Sequence, residues 1–230
     1  MLLRVLLSGS SPTEIIQALV FGIVAILIAI SVHEFAHAFV AYKMGDYSQK
    51  NMGRLSLNPL NHINPIGLIM LLLLGFGWAN PVMINPRNFK HQRLGIIFSS
   101  AAGPLMNFIL SFLSLLIRTI CVIFYYKNGN TILFNVCTLF EYLAIYNASL
   151  GLFNLIPIPP LDGSKILAEL LPYKARYKYY SLERYSIYIF IALIVLLNQT
   201  SILTVMMNGL FDFFFLLIEP IIEPIIKLIL

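Results

Sequence analysis

Fifteen residues without a charge, Ala18–Val32, run straight into His33-Glu34-Phe35-Ala36-His37. A run that apolar belongs in a bilayer, where a chain satisfies its own backbone polar groups only as a helix or a closed barrel. On a helix, positions i and i+4 share one face, so His33 and His37 can grip a single ion. Glu34 beside them can take a proton from water on that ion. Three ionisable groups within five residues are expensive at membrane depth and mark a functional site. Given this chain's composition, chance supplies on the order of 0.002 matches to the His-Glu-x-x-His pattern.

The rest of the chain agrees with a membrane setting. Of 230 residues, 59% are hydrophobic and 11% charged, and several segments exceed the ~18 apolar residues a span needs. The expectation is an all-α polytopic membrane protein of five spans, about residues 13–42, 94–126, 131–156, 185–197 (short) and 202–218, the last with an interfacial tail to Leu230. A shorter apolar insertion, Pro65–Trp78, is bracketed by Gly and Pro and reads as re-entrant or membrane-surface. One integral membrane domain over 1–230 is expected, with a catalytic core at about 13–170 and accessory helices at about 180–230. Met1–Ser11 does not read as a cleavable signal, since cleavage after the first apolar run would remove the histidines.

The net charge of +5 forms no basic stripe, so nucleic acid is not an expected partner. The basic residues report topology instead. Lys43, Lys50 and Arg54 precede the insertion, Arg87, Lys90 and Arg93 follow it, and Lys165, Lys174, Arg176, Lys178 and Arg184 follow the third span. If the insertion does not cross, all of these lie on one side, with Arg4 and Lys127 on the other. The positive-inside rule then puts the amino terminus outside and the histidines near the cytoplasmic face. A cell membrane is the expected location. Cys121 and Cys137 lack the spacing of a thiolate metal site. Arg118 and Glu141 fall on neighbouring spans and are expected to pair.

Two histidines do not complete a hydrolytic metal site, which takes three protein ligands and one open position. The chain has three Asp residues: Asp46, Asp162 and Asp212. Only Asp162 sits in a Pro-rich turn, Pro157-Ile-Pro-Pro-Leu-Asp162-Gly163, at the depth of the histidines, with Gly163 read as permitting a tight turn.

His33–His37, Ala102-Gly103-Pro104 with Asn107, Phe153-Asn154-Leu-Ile-Pro-Ile-Pro-Pro-Leu-Asp162-Gly163, Asn58–Ile63 and Gly77–Val82 together resemble the site-2 proteases, intramembrane zinc metalloproteases, in their compact prokaryotic branch. The resemblance covers roughly residues 20–170. It implies one zinc per chain, held by His33, His37 and Asp162. It also implies a zinc-bound water as nucleophile, Glu34 as general base and a catalytic core of three helices. Membrane-anchored proteins or peptides are the implied substrates, cut in or near their spans. PDZ and CBS domains common in the family have no room here. Asn154 is expected to orient or stabilise the intermediate, with an interhelical hydrogen bond as its other reading; His62 either donates to the oxyanion, touches substrate, or is a solvated loop histidine. Gly103 and Asn107 are read as close-packing positions. Two rival readings use the same groups: a metal-ion or proton transporter, and a catalytically silent scaffold. Neither requires Glu34 as a base.

Overall fold

The structure is a computed structural model describing residues 11–74 and 80–229. It is helical, with no strand element among the described residues. The elements are α1 (Pro12–Met44), α2 (Ser48–Asn51), α3 (Pro65–Leu74), α4 (Gln92–Asn128), α5 (Thr131–Leu155), α6 (Asp162–Leu170), α7 (Tyr173–Tyr180), α8 (Ser186–Gln199) and α9 (Ile202–Ile229). Single 3-10 turns lie at Pro59–Asn61, Pro86–Asn88 and Ser181–Tyr185. Among the described residues, five helical stretches are long and apolar enough to cross a membrane.

Local chemistry sets the ends of α1. Ser11 caps it, accepting from the Glu14 N–H, while Glu14 reaches back to the Ser11 N–H at 2.8 Å. Pro12 occupies the first turn, where a missing N–H costs nothing. At about 1.5 Å per residue, the helix's 33 residues exceed the ~30 Å bilayer core.

Helices α1, α4 and α5 form the packed centre, and small residues let them approach. Ala18, Gly22, Ala25, Ala29 and Ala36 lie on the buried side of α1. Ser100, Asn107, Ser111 and Ser114 do so on α4, and Ala144, Asn147, Ala148 and Gly151 on α5. In lipid no hydrophobic force drives helices together, so close approach and hydrogen bonds must do it. The Ser111 hydroxyl donates to the Ala144 carbonyl at 2.8 Å across the α4–α5 seam. Arg118 and Glu141 meet on the same pair at 3.2 Å, as the sequence suggests.

The chain between α1 and α4 leaves and returns at one end of the bundle. The Lys90 N–H bonds the Met44 carbonyl at 3.2 Å, so the 45–91 segment makes no net crossing. Of the insertion, Pro65–Leu74 is helical, while Gly75–Ala79, including Trp78, lie outside the described residues. So does Arg4, used in the charge reading.

Two expectations change. The short fourth span is part of a longer helical stretch, Tyr173–Leu197, through α7 and α8. The fifth does not give way to a separate tail: α9 runs on through Pro220 and Pro224 to Ile229. Proline removes a helix hydrogen bond, but Ile218 and Ile222, on either side of Pro220, pack with Leu115, Ala144 and Phe214 in one buried cluster. That packing carries the helix past the break.

Candidate functional site

His33 and His37 lie in the last third of α1, and Asp162 opens α6, just past the turn that ends α5. The turn contains a cis Pro159–Pro160 bond. Gly163 is helical rather than a turn residue. It has no room for a side chain, because a Cβ would meet the backbone of Leu155 and the Ile156 carbonyl at 2.7 Å. α6 therefore presses against the end of α5, and Asp162 faces α1.

The three side chains meet. His33 Nε2 is 3.2 Å and His37 Nε2 2.9 Å from Asp162 Oδ2, and the two Nε2 atoms are 2.9 Å apart. All three residues are buried, at 5, 5 and 6% exposure. Tetrahedral zinc with bonds of about 2.0–2.1 Å sets its ligand atoms about 3.3 Å apart, so the triangle is close to zinc-sized.

The outer ring nitrogens strengthen the fit. His37 Nδ1 faces the Ser99 carbonyl at 2.6 Å, and a carbonyl only accepts, so Nδ1 carries the proton. His33 Nδ1 faces Asn107 Oδ1 at 2.5 Å. The Asn107 amide donates to the Ala29 carbonyl at 3.1 Å and to Asn147 Oδ1 at 2.7 Å, which leaves Oδ1 to accept from His33. With both Nδ1 protons so committed, two neutral imidazoles would turn lone pairs toward each other across 2.9 Å. A cation between them relieves that repulsion.

Gly103 packs under the rings. A Cβ there would run into His37 Nε2 and come within 2.7 Å of His33 Cε1. Asp162 keeps its second oxygen on Lys165, Oδ1 to Nζ 3.1 Å. The far end of α6 is tied by Glu169, whose carboxylate takes Arg176 at 2.9 Å and the Tyr180 hydroxyl at 2.9 Å. Its carbonyl accepts from Arg93 of α4 at 2.6 Å.

Glu34 is 8% exposed, and its Oε2 accepts the Val82 N–H at 2.9 Å. Asn154 is half-buried and its amide donates to the Leu150 carbonyl of its own helix at 3.0 Å. His62 is fully buried, with Nε2 facing the Ser56 carbonyl at 2.7 Å. Neither bonds the triad or Glu34 among the described residues. Asn107, read from sequence as a packing position, instead orients a histidine. Its signal was visible: it follows Gly103 by one helical turn, on the same face. Asn147 enters only with the structure, though an uncharged amide in an apolar span asks for a partner.

Residues 117–197 match peptidase family M50. A protein of Bacillus subtilis (strain 168) named "Putative zinc metalloprotease YwhC" is 37% identical over 208 residues, 89% of this chain and 93% of that one. "Putative zinc metalloprotease Rip2" of Mycolicibacterium smegmatis is 29% identical over 66% of this chain and 58% of its own. "Zinc metalloprotease MJ0392" of Methanocaldococcus jannaschii is 29% identical over 70% and 38%. No solved structure matches. With near full-length likeness to one such protein, and a His-His-Asp cluster suited to one metal ion, this chain belongs to peptidase family M50, the site-2 protease family of zinc metalloproteases.

Proposed function

We propose that this chain is an intramembrane endopeptidase, hydrolysing peptide bonds in or near the spans of membrane-anchored proteins. The observation that carries the reading is the buried His33–His37–Asp162 triangle, set in a helix long enough to cross a bilayer, with Glu34 beside it. His33, His37 and Asp162 are the metal ligands and Glu34 is the general base. The whole chain acts as one peptidase domain, with α8 and α9 as accessory helices.

Zinc bound there would activate a water and polarise the scissile carbonyl. Glu34 accepts the water's proton on the oxygen that Val82 leaves free and delivers it to the departing amide nitrogen. The Ser99 carbonyl and Asn107 hold the two imidazoles in the tautomer that presents Nε2 inward. Lys165 occupies Asp162 Oδ1, which leaves Oδ2 as the single ligand atom. Asn154 Oδ1 and the His62 ring remain candidates for orienting substrate.

Depth and charge support the topology. His37 lies seven residues before the end of α1 at Met44, roughly 10 Å along the axis, so water can reach it from that end. The loops at that end carry most of the basic residues, which favours the cytoplasmic side and an amino terminus outside.

The test is cleavage of a panel of single-span reporters by the purified protein in detergent, beside chelated and E34Q samples. The expected result is a cut within or beside the span that chelation abolishes and E34Q slows by the roughly 10²–10⁴-fold of a lost general base. Full activity in E34Q would remove Glu34 from the mechanism. Tight zinc binding without any cut, together with zinc flux into liposomes, would replace the protease reading with transport.

A further inference from the structure

Asp46 lies two residues beyond α1 and outside the chemistry described so far. It is completely buried, and among the described residues no Lys or Arg pairs with it. Hydrogen bonds satisfy it instead. Oδ1 accepts from the Ser48 hydroxyl at 2.6 Å, the Ser48 N–H at 3.3 Å and the Asn88 amide at 2.7 Å. Oδ2 accepts from the Gln49 amide at 2.8 Å and the Asn85 N–H at 2.8 Å. The Gln49 amide also donates to the Met83 carbonyl at 2.9 Å. A single carboxylate thus gathers the chain around 83–88 onto the end of α1.

Asn80 anchors the same stretch at its other end. Its N–H donates to the His62 carbonyl at 2.7 Å and its amide to the Ile63 carbonyl at 2.9 Å. Its side-chain oxygen accepts from Asn64 at 3.2 Å. Pro81 and Val82 lie between Asn80 and Met83, which Gln49 holds, and Pro81–Ile84 separate Asn80 from Asn85, the first residue that Asp46 itself bonds; the Val82 N–H within this stretch is the one that bonds Glu34.

We propose that Asp46 is a positioning residue for Glu34, acting through the 80–88 strap whose Val82 N–H fixes the Glu34 carboxylate. The proposal rests on the reading of Glu34 as general base. The chemistry requires both Asp46 oxygens to be acceptors, since each faces at least two donors. An Asn would turn an NH2 group against N–H donors and release the strap. Glu34 would then keep its place on α1 but lose the contact that selects its rotamer. A base out of line gives up much of the roughly 10²–10⁴-fold that proton transfer contributes, while substrate binding and metal binding use other groups.

Three variants test this on the reporter that wild type cleaves: D46N, V82P (which removes the N–H and leaves the Asp46 bonds in place) and E34Q, each also combined with E34Q where it differs. Expected are kcat losses of about ten- to a hundredfold in D46N and V82P, a fraction of the general-base factor, with KM and zinc content within about twofold of wild type. In the E34Q background neither should lower the residual rate further, because residues acting as one unit are non-additive. Amide exchange over 80–85 should rise in D46N. Unchanged kcat in both variants while E34Q loses the full general-base factor would overturn the proposal and leave Glu34 as base. Zinc loss in both, or kcat losses of the same factor in the E34Q background, would also overturn it, since Asp46 would then only support the fold. An active E34Q would instead remove the general-base reading itself.

Discussion

The two halves of the bundle cohere by different means. Around His33, His37 and Asp162, α1, α4 and α5 meet largely through Ala, Gly, Ser and Asn. Around α8 and α9 the contacts are large and apolar. Phe214 meets Phe112 edge-on at 5.5 Å, Phe190 meets Phe153 at 6.0 Å, and Leu115, Ile218 and Ile222 fill the space. The first kind of seam fixes distances, because backbones and hydrogen bonds cannot give. The second conforms, since side chains can repack. A site with ligand atoms near 3 Å apart needs the first kind.

The largest effect should follow from adding one carbon to the rigid seam. Gly103→Ala places a Cβ into the His37 and His33 rings. It is expected to abolish both stoichiometric zinc, by metal analysis of purified protein, and reporter cleavage. Normal zinc content in that variant would mean the seam yields as the aromatic one does.

Asn107→Leu removes the acceptor that holds His33 while keeping an apolar filler. Zinc affinity should fall about 10–100-fold, the usual scale for an outer-sphere ligand partner, as read by competition with a chelating dye.

Asp46 extends the rigid region past the end of α1. Burial acts to raise its pKa, but its donors overcome this and hold it at about 2, below its ordinary 3.8. A depressed carboxylate stabilises the fold above its unfolded pKa and loses that contribution as pH falls through the folded one. Wild type should therefore exceed D46N by about 2 kcal/mol at neutral pH. The gap should hold down to about pH 4 and close towards pH 2, in unfolding followed by helical circular dichroism. A gap that is constant to pH 2 would mean the donors do not depend on the charge.

Phe214→Leu, in the conforming seam, should cost least. About 1 kcal/mol of stability is expected, the scale of an aromatic pair plus a small volume change. Zinc content and kcat should stay at wild-type values. Zinc loss there would show that α9 shapes the site.

Much of this was legible without coordinates. The spans followed from apolar length, and His33, Glu34 and His37 from their spacing within one. Asp162 stood out as the acid in a rigid turn after the third span. These are properties of residue type and order along the chain. The small polar face of α4 announces closeness but not which groups it bonds. Ser or Asn in a span signals a partner without naming it, and the partner of Asn107 is 74 positions away, on α1.

What the sequence determined by itself, then, was the class of fold and the three residues, His33, His37 and Asp162, that gather into one cluster able to hold a metal ion, because periodicity and side-chain chemistry are local. Only the tertiary structure decided how Glu34 is held. Its partner is a backbone N–H, at Val82, which every non-proline residue carries and no residue type announces. Tertiary packing likewise decided that α9 continues past Pro220, where burial of Ile218 and Ile222 outweighs the missing hydrogen bond. In each case the deciding energy comes from groups far apart in the chain, and sequence order does not display which of them will meet.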